Sequence, residues 1–137
     1  MSKAKPKFPQ RGQIWLVDFN RKNEKEINKI RPTLVVSNDI QNEFDEQIIM
    51  APLTSEKNEM KEVADYEVFI NNDKENGLDR PSKILLQRVR AVEKELRLIE
   101  YLGIANKEIM AKVKKEWLRI GIILCFGELR AFIKYCA

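Results

Sequence analysis

The sequence predicts a mainly β fold, a small, strongly bent barrel with one helix at its C-terminus. Three observations carry this. Short segments that alternate apolar and polar residues recur from Gln13 to Val92, which is the period of strands. Clusters of Asn, Asp, Gly and Pro punctuate them. Helical spacing of apolar residues takes over only after Asn106. With 137 residues the chain makes one domain, 1–137, long enough to bury a core.

Each element can be justified in turn. Residues 1–10 are expected to be a flexible arm, a solvated tail that also offers Lys3, Lys5 and Lys7 to phosphates. Gln13 to Phe19 reads as a first strand, with Trp15, Val17 and Phe19 on one face and Ile14 and Leu16 on the other. A strand apolar on both faces is packed on both sides or exposes an aromatic face for a purpose. Asn20 to Ile30 is dense in both charges and has no period, so it reads as a lid or binding loop. In KIRPTLVVSND, Lys29 to Asp39, the alternation predicts a strand with Leu34 and Val36 on the core face. Pro32 cannot donate to a ladder and belongs at the strand's first residue or on an edge. Arg31 is thereby set at the mouth of a strand, held by scaffold.

Asp39 to Glu46 reads as one helical turn or a turn cluster, and Gln47 to Thr54 as a third strand. Asp65 to Asn71 follows with Tyr66, Val68 and Ile70 on one face. Ser82 to Val92 is the longest strand candidate, kinked or bulged between Leu86 and Val89. Asn106 then suits an N-cap, with Ile109, Val113, Trp117, Ile120 and Leu124 at helical spacing and Lys112, Lys114, Lys115 and Arg119 opposite them.

Composition removes several chemistries. The chain is 44% hydrophobic and 34% charged, which reads as soluble and globular, and its net charge of +4 permits a polyanion partner without requiring one. It has no histidine, so proton transfer near neutrality falls to carboxylates, Lys, Tyr, Cys or Arg. Cys125 and Cys136 are its only cysteines, too few for a zinc site unless carboxylates or a second chain help, and no metal or cofactor is expected. The N-terminus lacks the apolar stretch of a signal peptide, and Ile122 to Phe126 is far too short to span a bilayer. A cytoplasmic protein with free thiols and no membrane contact is expected.

Five collinear segments, RGQIWLVDF, Glu26-x-x-x-x-Arg31-Pro32, LVVSND, APLTS and SKILLQRVRAVEK, resemble the MazF/PemK family of toxin endoribonucleases. The resemblance runs from Arg11 to about Leu124. It implies an SH3-like barrel, also shared by the gyrase-poisoning CcdB-like toxins, and a homodimer that cleaves single-stranded RNA without a metal ion. It implies a cognate antitoxin as partner, with DNA contacted only through an antitoxin complex. The family's catalytic arginine falls on Arg31, its catalytic threonine on Thr54, and a loop glutamate used in some members on Glu26. This chain departs in three places. Asn28-Lys29-Ile30 replaces a glycine-rich turn, Arg88 replaces a glutamine with Gln87 one place early, and Cys125–Ala137 extends past the usual end.

An RNA cleaved by its own 2′-hydroxyl needs a base, an acid and donors for the charged phosphorane. The planar guanidinium of Arg31 suits the last task, and the Thr54 hydroxyl adds a donor. The resemblance implies Arg31 as both acid and base, but a guanidinium holds its proton at neutral pH, which favours electrostatic stabilisation by Arg31, with Glu26 as one candidate base. Trp15, Phe19, Lys29, Pro32, Ser55, Lys57, Arg88 and Arg90 are the candidate RNA contacts. Plainer readings compete: Arg31 as an edge cation paired with Glu26 or Asp18, Thr54 as an ordinary strand residue, the aromatics as core, and the cations as solvated rims. A non-catalytic binding module on the same barrel is the alternative function.

Overall fold

The computed structural model describes residues 6–20 and 29–126, with side chains as far as residue 119. Seven strands form one antiparallel sheet: β1 (Gln13–Asp18), β2 (Ile30–Val35), β3 (Gln47–Thr54), β4 (Glu67–Ile70), β5 (Ser82–Leu85), β6 (Arg90–Glu93) and β7 (Leu98–Ile104). Helices α1 (Asp39–Phe44) and α2 (Lys94–Arg97) are short connectors, and α3 (Lys107–Phe126) closes the described chain. The sheet order is β4-β5-β3-β2-β1-β7, with β6 paired to β3 beside β5.

The doubly apolar first strand is packed on both sides. Ile14 joins one buried cluster with Leu34, Leu53, Ile70, Ile84 and Leu86. Trp15 and Val17 join a second with Val35, Ile48, Met50 and Val92. β2 serves both cores, so Thr33, Leu34 and Val35 are all fully buried, while Val36, expected to share the core face with Leu34, is only half-buried. Each fully buried Ile, Leu or Val contributes about 1.5–3 kcal/mol, so these two clusters outweigh any single polar contact in the fold.

Bending of the sheet follows from one contact. β1 and β6 are separated by β2 and β3, which on a flat sheet would hold them about 14 Å apart. The Arg90 guanidinium nevertheless lies 5.0 Å from the centre of the Phe19 ring, and Arg97 Nη1 donates to the Asn20 carbonyl. Side chains, rather than a hydrogen-bonded ladder, bring these edges together.

Several expectations are corrected. The stretch from Ser82 to Val92 is not one strand. β5 pairs β3 through Ile84–Leu53, β6 pairs it through Arg90–Met50, and a 3₁₀ turn, Leu86–Arg88, makes the corner between them. β7 was not expected, yet it pairs β1 from Gln13 to Val17. Of the expected N-terminal arm, residues 6–10 are described: Lys7 and Gln10 are exposed, Pro9 is buried, and the Gln10 N–H donates to Gln13 Oε1 at 2.8 Å. Lys3 and Lys5, Glu26 and Cys136 lie outside the described residues. Asn106 caps α3 as expected, accepting the Ile109 N–H at 2.8 Å, and Val113 is buried while Trp117 stays 40% exposed. Pro32 pairs with Leu16, one residue before the β2–β3 ladder begins at Thr33–Pro52, so its missing N–H falls where that side of β2 has no strand.

A tight seam joins the loop after β4 to β7. Asn76 is buried, donates to the Asn71 carbonyl at 2.8 Å and accepts from the Leu78 N–H at 3.0 Å. Gly77 has φ +70°, and a Cβ there would stand 2.1 Å from the Leu102 carbonyl oxygen. Only glycine fits this approach.

Candidate active site

Register decides which side chains meet. Trp15 and Val17 pair with Thr33 and Arg31, Thr33 pairs with Pro52, and Met50 pairs with both Val35 and Arg90. Arg31, Pro52 and Arg90 therefore share the sheet face whose inner part is the second core. Where that core ends, a cleft of about 290 Å³ opens, lined by Phe19, Lys29, Arg31, Pro52, Arg88 and Arg90. Four cations around one aromatic ring and a proline give the cleft a positive lining with one apolar wall, suited to an anion.

Arg31 is half-buried and mounted rigidly. Its backbone is held by the pairing with Val17, and its carbonyl accepts the Thr33 hydroxyl at 3.0 Å. Continuing the Thr33–Pro52 register by two residues sets Arg31 opposite Thr54, on the same face. The β2–β3 ladder has ended by then, and Thr54 pairs instead with Lys83. Thr54 is 6% exposed and is not among the residues that line the cleft, although Pro52, two residues earlier on β3, is. Its Oγ1 accepts the Glu56 N–H at 3.4 Å, an acceptor role that leaves the hydroxyl proton available to donate.

The other candidates divide. Phe19, Lys29, Arg88 and Arg90 reach the cleft as expected, and Pro52, unforeseen, forms part of its wall. Trp15 does not: it is 2% exposed, its Nε1–H donates to Gln13 Oε1 at 3.0 Å, and its ring packs on Tyr101 at 5.4 Å. A tryptophan so enclosed has no face for a base. Pro32 points to the opposite side of β2 from Arg31, and Ser55 and Lys57 lie on the loop beyond Thr54, off the cleft lining. Glu26 falls in the undescribed 21–28 segment.

Thr54 is steadied from behind by a buried ion pair. Lys83 Nζ contacts Glu67 Oε1 at 3.0 Å and donates to the Glu62 carbonyl at 3.2 Å. Gln87 Nε2 reaches Glu67 Oε2 at 2.9 Å, which explains why Gln87 is turned away from the cleft. Burial of Glu67 acts to raise its carboxyl pKa, but the Ala64 N–H, the Gln87 amide and the Lys83 ammonium outweigh that and hold it below the usual carboxylate range. A folded-state pKa that is depressed contributes stability above the unfolded value, and this is lost as pH falls through the folded one. Glu67→Gln should therefore lower Tm near neutrality and lose its effect in acid. An equal Tm deficit at both ends of a pH series would reject this account.

Among the described residues no group of three His, Cys, Asp or Glu side chains is placed to hold a metal ion, and no helix is long and apolar enough to cross a membrane.

A bent antiparallel sheet opening on a cationic cleft defines a small β protein suited to a polyanion. The sequence profile of the PemK-like, MazF-like toxins of type II toxin–antitoxin systems matches residues 10–120, and the chain belongs to that family. It is 32% identical over 115 residues to the endoribonuclease EndoA of Bacillus subtilis, covering 84% of this chain and 95% of that protein. The crystal structure of MazF from Deinococcus radiodurans superposes with a TM-score of 0.66 at 22% identity, over 84% of this chain and 97% of that one. A mycobacterial endoribonuclease in complex with its cognate antitoxin gives 0.65 at 20%, over 83% and 96%. At such identities the two structures bear on the fold alone.

Proposed function

We propose that this protein is a metal-independent endoribonuclease toxin that cuts single-stranded RNA, mRNA included, at selected sequences and is neutralised by a cognate antitoxin. What supports the proposal is Arg31 in a cationic cleft, with Thr54 on the same face of the neighbouring strand β3, just past the end of the β2–β3 ladder. Family membership and the EndoA relative support it. In the reaction the substrate's 2′-oxygen attacks phosphorus, the bond from phosphorus to the 5′-oxygen breaks, and a cyclic phosphate and a 5′-hydroxyl result. The 2′-hydroxyl proton goes to a base, with Glu26 the candidate, and an acid protonates the leaving oxygen. Arg31 binds the equatorial phosphoryl oxygens through its two-pronged fork, and the Thr54 hydroxyl donates to the same charge. The nucleophile is already part of the substrate, so holding it in line does much of the work.

The protein acts as a cytoplasmic homodimer in this reading, without a cofactor, and meets DNA only through its antitoxin complex. Incubating one purified mRNA with the protein in EDTA tests the core of the proposal. Discrete fragments with 5′-hydroxyl ends are expected. RNA that is retained but uncut would replace the nuclease with a binding module.

A further inference from the structure

The corner between β5 and β6 assigns nearly every side chain an internal task. Leu86 is buried in the first core and Val89 packs against it. Gln87 is held by Glu67. The Arg90 guanidinium is engaged over the Phe19 ring, 5.0 Å from its centre. The backbone is fixed as well, with the Val89 N–H bonded to the Leu86 carbonyl at 3.4 Å. Arg88 is the exception. It is exposed, lines the cleft, and has no hydrogen-bond or ion-pair partner among the described residues. A guanidinium on a rigid mount, aimed into a binding cleft and otherwise unemployed, is poised for a ligand.

Building on the reading of the cleft as the RNA site, we propose that Arg88 selects guanine in the cleaved sequence. Lys29 and Arg31 on the β2 side supply charge for the phosphate, and the Phe19–Arg90 pair supplies a flat layer on which a splayed base can lie. Such a base turns its edge toward the corner that carries Arg88. Guanine presents two acceptors, O6 and N7, spaced to match the guanidinium fork, and is arginine's commonest bidentate partner. Cytosine, whose N3 and O2 form the other acceptor pair, is the competing base, and its enrichment in place of guanine would overturn the choice. Adenine offers an amino group in place of O6 and meets it donor to donor. A well-formed bidentate pair favours its base by roughly 5- to 150-fold. A phosphate contact from the same side chain would weaken all sequences alike and carry no preference.

The test uses a random-sequence RNA pool and wild type, Arg88→Gln and Arg88→Lys. Cut ends are sequenced, and RNA bound by each protein is recovered separately on filters. Wild type is expected to show guanine at one fixed position in both fractions. Both variants should lose that enrichment, including Arg88→Lys, which keeps the charge but not the fork. If Arg88→Lys retains the wild-type word and Arg88→Gln only weakens every site evenly, with a shallower salt dependence, Arg88 is a phosphate contact and the inference falls. Cleavage without guanine enrichment in wild type also overturns it while leaving the nuclease standing. Uncut RNA with guanine enriched in the bound fraction would do the reverse.

Discussion

Arg31→Ala is expected to lower RNA cleavage by about 10²–10³-fold while Tm moves little. The magnitude is that of removing one preorganised donor to a developing oxyanion, about 2.7–4 kcal/mol. Stability should hold because Arg31 is half-buried at the end of β2, outside both apolar clusters, so its truncation opens no core cavity. Arg31→Lys separates charge from shape. Lysine restores the positive charge but not the parallel N–H pair, so recovery should be partial. Thr54→Ala should also impair cleavage, and less so, because a hydroxyl is a weaker donor than a guanidinium. Rates measured on one defined RNA, with melting curves alongside, check all three. Full activity in both alanine variants would dissolve the assigned site.

Gly77→Ala is expected to destabilise the fold by about 3 kcal/mol, a Tm drop of roughly 10 °C. Two penalties act together. At φ +70° an L-residue with a Cβ is strained by about 1–2 kcal/mol, and the new methyl would stand 2.1 Å from a backbone oxygen of β7. That oxygen belongs to Leu102, and neither partner yields cheaply, since Asn76 pins one side and the β1–β7 ladder the other. The cleft lies on the other core, so cleavage well below the melting transition should persist. A melting temperature unchanged within a couple of degrees would mean the seam opens freely.

The first four strands were legible because each is a short run rich in apolar and β-branched residues bounded by turn or charged segments, and β4 also alternates in burial. β7 was not, for a structural reason: its pairing with β1 shifts register twice, and Ile99 and Ile104 are about half exposed. No single alternation survives such shifts, and the adjoining KELR sequence suggests helix, which it forms. Ser82 to Val92 looked continuous because its corner buries Leu86 as a strand would. At the site, Phe19, Lys29, Arg31, Arg88 and Arg90 were legible as cations and an aromatic at strand ends. For Trp15 the core reading, not the RNA-contact one, matches its burial; periodicity places it on the correct face without revealing where along that face the core stops. Pro52 was missed since its relevance depends on pairing with Thr33, a register no local pattern supplies.

The corner that splits β5 from β6 has a consequence for specificity. Leu86 ties it to the first core, whereas Arg88 is exposed and belongs to neither cluster, so Arg88 can be exchanged without disturbing either. If Arg88 reads a base as proposed, exchanging it would rewrite the recognised word without touching the scaffold that holds Arg31.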